Sequence, residues 1–286
     1  MTEDVKDRRF VADAASNYCE LVGHLIEDLN KFYSPVCGNT DSFRTRCQYQ
    51  VWGRIGFWMR SLRKLKSTED FQAVSTANRA LFELMIDLAL LSCGDEDSGR
   101  KSYYFGYSDL FRIVQSARLY YGNLEKKPPT RFAFKEITEE LIATVGTNRA
   151  QIFESNSTKH PGRWTGNANL LEDAREADRL LGEQWVSGLL GMSFTDFYQT
   201  DYRMLSTFVH ATSAGIETLD WPAITLVYGL NLYSCSDLAM LATRLMIERG
   251  PTVDPSADAM EKWARIAAAK APMFEDYRRH FGEGDA

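Results

Sequence analysis

Residues 67–94 read STEDFQAVSTANRALFELMIDLALLSCG, and this stretch decides the fold class. Ser67 and Thr68 followed by Glu69 and Asp70 form a helix start: a hydroxyl that accepts a free backbone N–H, then acids that suit the positive end of the helix dipole. Phe71, Val74, Leu81, Phe82, Met85, Leu88 and Leu91 then recur at helical steps. The helix is expected to reach Ser92, with Gly94 and the acidic Asp95, Glu96 and Asp97 closing it.

The same periodicity extends outward in both directions. Upstream, Val11, Ala14, Tyr18, Leu21, Val22, Leu25, Leu29 and Phe32 make one apolar stripe, which Ser34-Pro35 is expected to end because proline cannot continue the hydrogen-bond ladder. In residues 42–66, Val51, Ile55, Trp58, Met59 and Leu62 fall on one helical face. Arg46, Arg54, Phe57, Arg60 and Lys64 fall broadly opposite, and Gly53 and Gly56 suit a close helix–helix contact. Downstream, helical patterns occupy 108–121, 131–154, 170–185, a short segment from Ser193, and 201–212. Trp221-Pro222 opens a long apolar helix to Arg249, and 257–281 is amphipathic. The polar stretch 155–169, with Trp164 in its middle, is the longest non-helical segment. No segment alternates like a strand, and Asn-Gly and Asp-Gly hairpin turns are absent. The chain is therefore expected to be all-α: a single multi-helix bundle of about nine helices over 1–250, with 251–286 as a C-terminal helical appendage packed on or beside it.

Composition sets the outer bounds. The chain has 286 residues, 44% of them hydrophobic and 25% charged, which excludes a disordered or collagen-like chain. A net charge of −6 argues against coating nucleic acid by bulk charge and leaves room only for a local basic patch. Cys19, Cys37, Cys47, Cys93 and Cys235 are odd in number and unpaired in spacing, so reduced thiols are expected and no zinc knuckle. The charged N-terminus lacks the apolar run of a signal peptide, and residues 84–93 and 222–233 fall short of the roughly 18 apolar residues of a spanning helix. A cytoplasmic protein with no membrane contact is expected.

Several residue groups could carry chemistry. Arg203 and His210 lie seven apart, nearly two helical turns, with Ser206 and Thr207 between them. An imidazole that moves a proton near neutral pH, beside a guanidinium that holds a phosphate, suits phosphodiester cleavage. The plainer reading is a buried histidine satisfied by Ser206, with Arg203 paired to a carboxylate. Arg79, Glu83 and Asp87 recur every fourth residue on an otherwise apolar helix, where charges are costly unless paired. They read either as an intrahelical ion pair plus one bond to a neighbouring helix, or as a shell beside the Arg203/His210 face. Glu83, Asp87 and His210 could converge on a metal, but no local metal motif supports it, and no cofactor is expected. His24 with Glu27 and Asp28 is a weaker grouping. Between residues 42 and 68 there are seven Lys or Arg and no acid. Arg46, Arg54, Arg60 and Lys64 could hold phosphates there while Tyr49 or Phe57 stacks on a base, or they form a solvated outer face. Arg163-Trp164-Thr165-Gly166 could cover a pocket or anchor its loop.

Three of these groups, Arg79-x-x-Phe82-Glu83, Trp164-x-Gly166 and Tyr202-x3-Ser206-x3-His210, occur in the order seen in a widespread bacterial family catalogued as a domain of unknown function. The chain resembles that family over residues 10–245, and the resemblance implies an all-helical fold. A looser likeness is to the HEPN superfamily of helical nucleases and toxins, some used in phage defence. That likeness implies metal-independent RNA cleavage by a homodimer, with His210 moving the 2′-hydroxyl proton and Arg203 stabilising the phosphorane. Met204 departs from that pattern, because a polar residue often follows the Arg there. The expected partners are RNA and a second copy of the chain. The alternative is a non-catalytic helical module that binds a protein or small ligand.

Overall fold

In the computed structural model, the residues described are 3–37, 40–124, 143, 162–209, 220–250 and 257–281. Ser67 starts the central helix as its sequence suggests. Its hydroxyl accepts from Glu69 N, and Asp70 returns a carboxylate oxygen to Ser67 N, each at 3.2 Å. This closes a short 3-10 turn, Thr68–Asp70.

Among the described residues there are ten α-helices and no strand: α1 (Glu3–Cys37), α2 (Phe43–Leu62), α3 (Phe71–Cys93), α4 (Glu96–Asn123), α5 (Leu170–Leu181), α6 (Glu183–Leu190), α7 (Phe194–Phe197), α8 (Arg203–Val209), α9 (Trp221–Arg249) and α10 (Ala257–Phe281). A π-helical turn, Tyr198–Tyr202, joins α7 to α8. The protein is an all-α bundle. Helix α3 is its axis, packing against α9, α2, α5 and α8. That explains why Leu81, Phe82, Met85, Ile86, Leu88, Ala89 and Leu91 are all buried: a helix apolar on nearly every side must be enclosed. Buried amides pin it to α9, where Asn78 Nδ2 donates to Asn231 Oδ1 at 3.1 Å and Asn231 Nδ2 donates to the Ser75 hydroxyl at 3.0 Å.

Several sequence expectations need correction. Pro35 does not end α1, which continues to Cys37. A proline in the last turn costs little of the ladder, and Tyr33 and Cys37, one turn apart, are both buried, with the Tyr33 hydroxyl donating to Met246 O at 3.1 Å. The acids after Gly94 open α4 instead of closing α3. Asp95 Oδ1 accepts from Ser98 N at 2.9 Å, and Glu96 accepts from the Ser42 hydroxyl at 2.8 Å and from Phe43 N, so one carboxylate serves the first turns of two helices. The pattern over 170–185 is interrupted at Gly182. Of the two α2 glycines, only Gly56 sits at a close contact, where a Cβ would lie 3.0 Å from Asn30 Nδ2. Gly53 faces open space. A close approach between helices is unforeseen: a Cβ on Gly99 of α4 would stand 2.3 Å from Arg44 N of α2. The helix expected over 131–154 lies outside the described residues, apart from residue 143, and so do residues 251–256.

Helix α9 runs from Trp221 to Arg249 as its sequence indicates. It also corrects the expectation that no stretch is long and apolar enough to cross a membrane. By length and composition α9 qualifies, with a mean hydropathy of 1.2, while 67% of that window is buried in the bundle against α1 and α3. Helix α10, in the span expected as an appendage, lies against α1 and α9. Trp263 Nε1 donates to Met240 O at 2.9 Å, and the Arg244 guanidinium stands between the Trp185 and Trp263 rings. Lys270 Nζ donates to Asp237 Oδ2 at 2.6 Å and to Leu189 O at 2.7 Å, deep in the α9–α10 seam.

Candidate functional site

Arg79, Glu83 and Asp87 occupy successive turns of one side of α3, and each meets a group from a distant part of the chain. The Tyr202 hydroxyl, at the end of the π turn, donates to Glu83 Oε1 at 2.6 Å. Arg79 Nε reaches Glu83 at 3.4 Å and the Tyr202 oxygen at 3.1 Å, with its guanidinium 4.9 Å from the Tyr202 ring centre. The intrahelical pair thus forms and is tied to a neighbouring element. Phe82 supports it from behind, stacked on Phe197 at 4.7 Å and tilted against Tyr202 at 5.5 Å. Burial, then the Glu83 carboxylate, pushes the Tyr202 phenol well above its ordinary pKa, so it stays a proton donor. Replacing Tyr202 by Phe should lower stability by about 1 kcal/mol in urea denaturation, since Glu83 keeps Arg79 and some solvent. A variant as stable as the parent would show the hydroxyl to be idle.

One turn further along, Asp87 Oδ1 accepts from Arg163 Nη2 at 2.6 Å and from Trp164 Nε1 at 2.8 Å. Arg163 Nε donates at 2.6 Å to Asp173 Oδ2 on α5, and Asp173 Oδ1 takes the Thr165 hydroxyl and Asn167 Nδ2, each at 2.7 Å. The loop 163–167 is therefore clamped between two carboxylates. Burial raises the Asp87 pKa, with Arg163 and the Trp164 N–H opposing it. For Arg163, burial pulls the pKa down, but Asp87 and Asp173 outweigh it and the net shift is upward. Trp164 is thus a loop anchor, and it also lines two open clefts.

The first cleft, about 520 Å3, lies between α2 and α4 with Asp87, Arg163 and Trp164 at its foot and Arg46, Arg54 and Tyr103 on its walls. Arg46 rests on the Phe43 and Tyr103 rings and donates to Thr40 O at 3.0 Å. Arg54 is exposed, with no partner among the described residues. The second cleft, about 810 Å3, runs between α5 and the α3–α4 junction past Cys93, Lys101 and Arg175. Its charges are mixed: Lys101 pairs with Asp97, and Arg179 pairs with Glu176.

The remaining expected residues separate. Arg203 points away from the Arg79–Glu83–Tyr202 cluster. It is exposed, and its only partner among the described residues is Gln199 Oε1, at 3.3 Å. The shell expected beside Arg203 thus forms around its neighbour Tyr202, because consecutive helical residues point about 100° apart. The Ser206 hydroxyl donates to Tyr202 O at 3.1 Å, within its own helix. His210 lies outside the described residues, as does His160. Nor is the basic run of residues 42–68 one open face. Acids from α1 cover its C-terminal half: Glu27 lies 3.7 Å from Arg60 and 2.9 Å from Arg63, and Glu20 pairs with Arg63 and Lys66. Lys64 is exposed to solvent. His24 faces Glu20, Glu27 and Arg63 in the same patch. Among the described residues, no group of three or more His, Cys, Asp and Glu is placed to hold a metal ion.

Sequence reasoning passed over Asp173. Its signal was available: α5 buries Leu170, Ala174, Ala177 and Leu181 on one face, and Asp173 lies fully buried on that same face. A carboxylate on an apolar stripe implies a cationic partner, which the structure supplies as Arg163. In comparisons with known proteins, no family model, no curated protein and no solved structure matches this chain.

Proposed function

We propose that this protein is a helical module that binds single-stranded RNA through the cleft between α2 and α4. One observation carries the reading. Arg46 and Arg54 have no carboxylate partner among the described residues, and they flank an open cleft walled by Tyr103 and Trp164. The α1 acids pair with Arg60, Arg63 and Lys66 of the basic run and do not reach these two. Guanidinium groups for phosphates and rings for bases are the two elements of single-strand recognition, and a volume of about 520 Å3 suits a nucleotide-sized group. Asp109 and Asp87 also line the cleft, but Asp109 pairs with Arg112 and Asp87 with Arg163, which leaves Arg46 and Arg54 to attract a phosphate in a chain of net charge −6.

The test is fluorescence anisotropy of labelled hexauridine against the full chain over a salt series. Binding should weaken with salt, and Arg54→Ala or Arg46→Ala should each lower affinity and reduce the log–log salt slope by about 1. Variants that bind as the parent does would remove the cleft from the argument.

A second reading, cleavage, is favoured by Arg203, whose exposed guanidinium is left unpaired by any carboxylate among the described residues. A phosphate could approach it freely. Cleavage of RNA that survives EDTA and is lost in His210→Ala and Arg203→Ala proteins of parental melting temperature would establish it. No cleavage, together with a His210→Ala protein that melts well below the parent, would make that histidine structural.

A further inference from the structure

The geometry points to a base preference in the α2–α4 cleft: we propose that Asp87 reads the donor edge of guanine in a single strand, an inference that rests on the RNA-binding reading above. Asp87 lines the cleft at its foot. Arg163 and Trp164 both donate to Oδ1, and Oδ2 has no partner among the described residues. The carboxylate is also held still, because Arg163 is fixed in turn by fully buried Asp173. A positioned acceptor with one oxygen unused is what base reading requires, since specificity comes from prearranged hydrogen-bonding groups.

An ionised carboxylate only accepts hydrogen bonds, so it favours bases with N–H donors and disfavours carbonyl edges. Guanine presents N1–H and N2–H side by side, and one oxygen with two lone pairs can take both. Adenine and cytosine offer one amino group each. Uracil offers a single N–H between two carbonyls, which the carboxylate repels. The guanine donors in question are those used in base pairing, so only an unpaired strand presents them. Trp164 and Tyr103 supply faces for the ring, and Arg46 and Arg54 sit where the flanking phosphates would run.

The experiment compares three labelled strands on the full chain at one salt concentration: hexauridine, and the same strand with guanosine or inosine at the third position. The guanosine strand should bind about tenfold tighter than hexauridine. Inosine, which lacks the N2 amine, should fall between them. In Asp87→Asn, Oδ2 is replaced by a donor and the preference should disappear, while Arg54→Ala should weaken all three strands alike. Should Asp87→Asn fail to fold, the guanosine–inosine comparison on the parent chain decides. Equal binding of the three strands overturns the base preference and leaves RNA binding standing. Binding of none overturns both.

Discussion

Replacing Lys270 by Met should leave a protein that loses stability steeply as the pH rises above about 6. Among the described residues, Asp237, buried in α9, has four charged or titratable neighbours: Lys270 of α10 at 2.6 Å, Tyr18 of α1, whose hydroxyl donates to Oδ1 at 3.2 Å, and Tyr233 and Cys235 of its own helix. Burial pushes its pKa up to about 6, although Lys270 and then the Tyr18 hydroxyl oppose the shift. A folded-state pKa above the unfolded value of about 3.9 means that the native state holds this proton more tightly. Its stabilising contribution is present below about pH 4 and is lost as the pH rises through 6 in the parent. Without Lys270 the folded pKa climbs further, so the loss continues to higher pH. Thermal melts of parent and variant should therefore lie close together at about pH 5 and diverge toward neutral pH, by about 3–5 kcal/mol for a buried carboxylate left without its cation. A gap that does not change with pH would mean that Lys270 acts through packing alone.

Arg163→Met is expected to cost a similar amount, about 3–5 kcal/mol in urea denaturation, because it strands two carboxylates at once. Asp173 is fully buried, and Asp87 already sits where burial disfavours its charge. Thr165 and Asn167 still reach Asp173 in the variant, but neither carries charge. Arg163→Lys should fall short of the parent, since an ammonium cannot reproduce the fork that places Nε on one carboxylate and Nη2 on the other. Adding Asp87→Asn to Arg163→Met should recover part of the loss, and the size of that recovery measures the coupling between the two. A single variant within about 0.5 kcal/mol of the parent would show that the loop is held by other contacts.

Helix boundaries were legible where a local signal had no competitor. Trp221-Pro222 opens α9 because proline at the first turn sacrifices no bond, and the span 257–281 needed only its period. The acids at 95–97 were legible as helix-terminal but not as to which terminus, since Gly94 separates two helices and either could claim them. Trp52 was missed. The stripe read from residues 51, 55, 58, 59 and 62 shares Ile55, Met59 and Leu62 with the face actually buried, Cys47, Gln48, Trp52, Ile55, Gly56, Met59 and Leu62, but is centred about 40° away from it. Helix α4, packed on the flank of α2, accounts for the rotation, and nothing within α2 announces it. For the site, the charges on α3 were legible as needing partners. Their identities were not: Asp87 meets a residue 76 positions away and Glu83 one 119 away, distances on which periodicity is silent. The same holds for Glu20 and Glu27, whose neutralising reach across to α2 made a basic run look emptier of acid than it is.

The π turn at Tyr198–Tyr202 also fixes how this region tolerates changes in chain length. A π turn is an α-helix that has absorbed an extra residue. Deleting one residue between Phe197 and Tyr202 would return the segment to a regular helix at little cost to its backbone ladder, so the change would look mild by helix content. Four α-helical steps turn the chain through about 400°, and a π turn spreads about the same rotation over five, so Tyr202 would keep its direction relative to α7. Tyr202 would still face Glu83, and Arg203 would still face solvent. A single-codon deletion inside this turn thus preserves the register, whereas the same deletion in the regular helix of α8 exchanges which of two adjacent side chains belongs to the interior and which to solvent.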